Sequence, residues 1–142
     1  VCSSDLAVLF VSMVQITLWA IDRAPPYRLI SYEVAEPVLS GGVADITLHV
    51  WRDQKRDCSF ENTRWLTTSK GVRVYLTTTN LSAEGVRKLE QEHPGIARLQ
   101  VDLPNGMATG PSSYTAELRY RCNPVHQFWP IVVESTVHFT VQ

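Results

Sequence analysis

Lysine is scarce in this chain, and a stretch of one charge sign is missing altogether. Ten of its thirteen basic residues are Arg, spread from Arg23 to Arg121, and fourteen acids bring the net charge to -1. Without a basic stripe to neutralise a row of phosphates, a nucleic-acid partner is not expected. The sequence also lacks G-x-S-x-G, H-E-x-x-H and G-x-x-x-x-G-K, the signatures of a nucleophile elbow, a zinc protease and a phosphate cradle. Paired carboxylates occur only in charge-rich segments, Asp53 with Asp57 and Glu90 with Glu92, where acids are solvated and ordinary. The same holds for R-D-Q-K-R-D at 52–57, which reads as a solvated turn. No catalytic residue, metal or cofactor is therefore expected.

Cysteine is nearly absent too, at positions 2, 58 and 122 only. Cys2 lies in V-C-S-S-D-L, which reads back into codons as GTG TGC TCT TCC GAT CT, similar to the end of a common sequencing adapter. Residues 1–6 are accordingly expected to be foreign to the natural chain. Directly after them runs the charge-free apolar stretch Ala7 to Ile21, closed by D-R-A-P-P. A bilayer crossing takes about 20 apolar residues, so a span shortened at its front is the favoured reading of 7–21, a transmembrane helix or signal anchor. A cleaved signal peptide fits less well, because L-W-A at 18–20 sets Leu at the outer small position. A buried core helix would show a polar face, which this segment barely does. A type IV pilin-like subunit would need a glutamate near the start of the run.

With Cys2 set aside, Cys58 and Cys122 remain behind an export segment, the setting in which a disulfide forms and persists. Closing a loop of about 65 residues is worth roughly 4 kcal/mol in the chain-entropy account. The rival is zinc: C-N-P-V-H at 122–126, with Cys58 and His49, supplies two thiolates and two imidazoles. Zinc ligands usually come as two close pairs, and here there is one pair with a proline inside it.

Beyond a linker at 22–27, period-two alternation takes over, the mark of strands with one buried face. Ala44, Ile46, Leu48 and Val50 alternate with polar residues, as do Tyr114, Ala116, Leu118, Tyr120 and Cys122, and then Ile131, Val133, Val137, Phe139 and Val141. Weaker runs at 28–34, 59–66, 72–78 and 97–103 bring the expected total to about seven strands. Between them, S-A-E-G-V-R-K-L-E-Q-E-H-P-G predicts one short helix capped by Ser82. The expected fold of residues 28–142 is an all-β antiparallel sandwich.

Y-R-C at 120–122, a tyrosine two residues before an inward cysteine on a late strand, resembles strand F of immunoglobulin domains. The resemblance implies an immunoglobulin-like sandwich. Cys58, however, falls after the expected strand B, with Trp65 seven residues on, so its bond would join strands other than the family's B and F. More broadly, the apolar segment, W-R-D-x-x-R-D-C and Y-R-C-N-P-x-H-x-x-W-P-I are together similar to uncharacterised small single-pass membrane proteins of phages and prophages.

Candidate partner contacts are Trp51, Trp65 and Trp129, which lie beside turns or charges, and Arg119 with Arg121 on the outward side of a strand. The bland alternatives are tryptophans capping a sandwich core and arginines pairing with acids across strands. The combined expectation is a non-catalytic binding or assembly module, anchored in a bacterial inner membrane with its β domain in the periplasm and an unidentified protein or glycan as partner. A secreted or periplasmic binding module after signal cleavage is the first alternative. A small metal-dependent hydrolase is the second.

Overall fold

Alternating apolar and polar residues organise the body of the chain. The computed structural model describes residues 3–142, and side chains from Asp5 onward except at 81, 83 and 86. It carries β1 (Tyr27–Val34), β2 (Val43–Arg52), β3 (Ser59–Thr67), β4 (Arg73–Tyr75), β5 (Thr79–Leu81), β6 (Ile96–Asp102), β7 (Gly110–Arg121) and β8 (Ile131–Val141). Helix α1 (Ser3–Ile21) precedes them, α2 (Ala83–Glu92) lies between β5 and β6, and a 3₁₀ turn (Pro124–Gln127) joins β7 to β8. The strands form two antiparallel sheets, β1-β2-β6 and β4-β3-β7-β8, with β5 also on β3.

The inner faces are those the alternation marks. Ala44, Ile46, Leu48 and Val50 of β2 are buried against Tyr114, Leu118 and Tyr120 of β7 and Val137, Phe139 and Val141 of β8. A one-residue slip of any of these strands would turn its apolar set to water, so burial fixes the register. On one side the sandwich is closed by a short parallel bridge between Val38 and Val141, and the Tyr32 hydroxyl accepts from the His138 N–H at 3.3 Å. On the other side, α2 begins at Ser82, whose hydroxyl accepts from Gly85 N–H at 3.2 Å. An Arg52–Glu90 ion pair ties α2 to β2.

The expected strand over 72–78 is reduced to β4, and a further short strand, β5, follows just beyond it. β4 pairs with Trp65–Thr67 and β5 with Phe60–Asn62, at opposite ends of β3. Between them Leu76 N–H donates to Arg64 O at 2.8 Å, and the Thr77 carbonyl accepts from the Arg64 guanidinium at 2.9 Å, so a side chain interrupts the ladder.

Helix α1 differs from expectation at both levels. It starts at Ser3 rather than near residue 7, taking in part of the segment expected to be foreign, while Val1 and Cys2 lie outside the described residues. Among the described residues, no helix is long and apolar enough to cross a membrane, which leaves the transmembrane helix or signal anchor expected over 7–21 without support. Asp5 in the first turn and Gln15 in the middle dilute the apolar run.

Cys58 and Cys122 are joined, with Cα atoms 4.2 Å apart and 64 positions between them in sequence. Cys58 immediately precedes β3 and Cys122 immediately follows β7, and the next pair inward, Ser59 and Arg121, lies in register. The bond therefore pins neighbouring strands of one sheet, whereas the immunoglobulin pattern bridges two sheets. Replacing both cysteines by Ala should leave the β circular dichroism intact and lower unfolding free energy by about 2–4 kcal/mol in a denaturant titration. An unchanged midpoint would show that the loop is held by packing alone.

Candidate functional site

The end of β7, the 3₁₀ turn and the C-terminal foot of α1 converge on one buried side chain, His126. Asn123 starts the turn: its side-chain oxygen accepts from His126 N–H at 3.2 Å, with Pro124 at the first position, where a missing N–H costs nothing. This places the His126 ring, with none of its surface exposed, under the disulfide end of β7.

Hydrogen bonding sets the state of the ring. Cys122 N–H donates to Nδ1 at 3.2 Å, so Nδ1 is unprotonated, and Nε2–H donates to the carbonyl of Asp22 at 3.0 Å. The imidazole is thus neutral and joins the disulfide strand to the residue following α1. Burial holds its pKa below the ordinary value; the Asp22 carbonyl acts in the opposite sense, and nearby Arg23 lowers it further.

Three more side chains complete the joint. Asn123 Nδ2 donates to Trp19 O at 3.2 Å, inside the last turn of α1. Arg23 donates to the carbonyls of Trp129 and Pro130 at 2.6 and 2.8 Å, its guanidinium 4.2 Å from the Trp129 ring centroid. Arg56 pairs with Asp22 at 2.7 Å and donates to Ala24 O. The charged stretch at 52–57 is therefore no plain solvated turn: its Arg56 side chain is only 16 % exposed and holds the chain leaving the helix.

Of the candidate contacts, Trp129 alone lies at this joint, 58 % exposed beside Phe128, which is 94 % exposed. Trp51 is exposed on the outer face of β2 with Arg28 over its ring. Trp65 is buried on the outer face of the other sheet, against Tyr75 and Arg73. The three tryptophans do not share a face. Arg119 is paired with Glu117 at 2.7 Å and Arg121 with Glu61 at 3.2 Å, so both guanidiniums are engaged within the sheet. With the two sulfurs bonded to each other, the zinc alternative loses its thiolates, and His126 is turned to backbone groups. Among the described residues no group of three or more His, Cys, Asp and Glu side chains is arranged to hold a metal.

The sequence contained one sign of this joint, the C-N-P-V-H run, whose Asn-Pro pair begins a turn and whose His returns to the cysteine backbone. Arg23, Arg56 and Asp22 carried none, because their partners are backbone carbonyls or lie far along the chain. No protein-family model matches the sequence, and no curated protein matches it.

Protonating Nδ1 would set one N–H against another, so acid should loosen the helix foot. The lowered pKa means that this contribution is complete above about pH 6.5, the unfolded value, and is lost as pH falls through the folded one. The melting temperature should therefore drop between pH 7 and 5. In His126→Gln, that drop should shrink and the melting temperature at pH 7 should be lower; an identical pH profile in the variant would contradict the assignment.

Proposed function

We propose that the chain is an anchored binding or assembly module, extracytoplasmic and non-catalytic, in which α1 sits in the apolar layer of a membrane and the joint at its foot orients the β domain. One observation carries this reading: α1 is apolar on every face, yet its contacts with the domain are at its C-terminal foot. Leu6, Val8, Leu9, Phe10, Val11 and Met13 are each more than 60 % exposed, a consecutive set that no single groove could cover. A surface helix needs a polar face, and a helix lying flat in the headgroup region needs one too; a helix apolar all round belongs in an apolar medium.

The polar side chains within the helix are compatible with that medium. Ser12 and Thr17 hydroxyls donate back to the carbonyls of Val8 and Met13, both at 2.8 Å. Phe128 and Trp129 stand exposed beside the foot of the helix, the side chains that favour the boundary between lipid and water.

An extracytoplasmic setting is supported by the disulfide, since such bonds persist in oxidising compartments. The strand order supports an immunoglobulin-like sandwich, with β1-β2-β6 in the places of A-B-E and β4-β3-β7-β8 in those of C′-C-F-G. Folds of that kind display binding surfaces on faces and loops, which here leaves the outer face around Trp51 and the exposed edge of β1 for a protein or glycan partner. A small protein of phage or prophage type, with a single anchor and one β domain, is the kind of chain that fits this reading.

The full chain should float with neutral phosphatidylcholine vesicles and stay bound through high salt and alkaline carbonate washes. Leu9→Lys with Val14→Lys should abolish flotation while the melting temperature of the β domain is unchanged. Recovery of the unmodified chain as a lipid-free, soluble assembly would contradict the anchor.

A further inference from the structure

The sandwich is not filled. A cavity of about 290 Å³ lies between the sheets, at the small end of the range of roughly 300–1,000 Å³ for small-molecule sites. It lies on the side where β6 faces β3 and β5, and Leu89 of α2 contributes to its wall. Its cause is legible in side-chain size. Ala97 on β6 and Ala116 on β7 point inward where the sheets should interdigitate, and both are only partly buried, as is Leu99. Inward-facing residues in the middle of a sandwich are ordinarily buried; these line an open space.

At one end of that space the apolar lining gives way to three polar groups. Asn62 and Arg64 are on the inner face of β3, as their register partners Leu118 and Ala116 require, and Tyr114 of β7 is 2 % exposed. The buried Asn62 Oδ1, Arg64 Nε and Tyr114 hydroxyl have no hydrogen-bond partner of good geometry among the described residues. An unpaired buried polar group costs about 1–3 kcal/mol, and three of them together in one cavity are not what packing alone would keep. Arg64 also has no acidic partner among the described residues, whereas the other arginines of the lining, Arg52 and Arg56, are paired with Glu90 and Asp22. Burial raises the pKa of the Tyr114 hydroxyl above its ordinary value, and the neighbouring Arg64, through its charge and its closeness to the hydroxyl, works against this.

We propose that this inter-sheet cavity binds a small amphiphile with an anionic carboxylate head, a medium-chain acyl carboxylate, its tail among Leu48, Leu99 and Leu118 and its head on Arg64 and Tyr114. Arg64 Nε–H and the Tyr114 O–H both donate to carboxylate oxygens, which also gives a counter-charge to a guanidinium whose other bond is to the neutral Thr77 carbonyl. The Asn62 amide, with its Nδ2 turned to the ligand, supplies a third donor. The small cavity sets an upper bound: a two-chain lipid does not fit, a single chain of about ten carbons does. This inference stands on the cavity and is independent of the membrane reading of α1.

The test is photolabelling of the full chain in amphipol with decanoic acid carrying a terminal diazirine, followed by peptide mapping. Label is expected on β3, β6 or β7 peptides and is competed by decanoate about tenfold better than by decanol, the margin of one charged hydrogen bond. Arg64→Met should reduce cavity labelling about tenfold, and Tyr114→Phe, which removes only a hydroxyl, several-fold. Ala116→Leu should abolish it while maintaining or raising the melting temperature, because the added atoms fill the space. Any label on α1 reports partitioning of the tail and should be the same in all variants. Label confined to α1, equal competition by decanol, or cavity labelling undiminished in folded Tyr114→Phe would each overturn the proposal.

Discussion

A neutral imidazole held between a strand end and a helix foot is the contact on which the arrangement of this molecule depends. His126 accepts from the backbone of a disulfide cysteine and donates to the first carbonyl after α1. On its helix side lies the largely exposed, mostly apolar α1, and on its strand side the β sandwich. Because the ring is fully buried and both nitrogens are engaged, the direction in which α1 leaves the domain is set by hydrogen bonds shielded from water. Arg23, Arg56 and Asn123 reinforce that direction through main-chain carbonyls.

The disulfide and the joint act on one another. Cys122 is at once the covalent partner of Cys58 and the donor that fixes the His126 tautomer. A bond between neighbouring strands adds little to the contact between sheets; it restrains the end of β7 from which the turn departs. In the immunoglobulin pattern the bridge crosses the core, and the core packs around it. Here the bridge stays within one sheet, and small residues leave the space between the sheets open on the α2 side.

How far the sequence foretold this depends on the kind of interaction. β2, β7 and β8 were legible because each has an unbroken period-two pattern, and α2 because Ser82 and Pro94-Gly95 bound it. β3 was harder to read: Asn62 and Arg64 face inward between Phe60 and Leu66, while Trp65 faces outward under Arg73 and Tyr75. With polar residues inward and a tryptophan outward, apolarity marks the faces of such a strand only weakly. The joint was hidden for another reason. It pairs side chains with backbone carbonyls some hundred positions away, and a carbonyl has no sequence signature. The cavity was hidden because it consists of what two alanines omit.

The central claim is that α1 lies in lipid with its foot at the boundary, and that the joint keeps the β domain clear of it. Fluorescence quenching by brominated phosphatidylcholine in single-tryptophan chains, keeping Trp129 or Trp51 alone, tests it most directly. Trp129 should be quenched strongly by bromines near the headgroups and Trp51 by none. Equal indifference of both tryptophans to every bromine position would contradict the account.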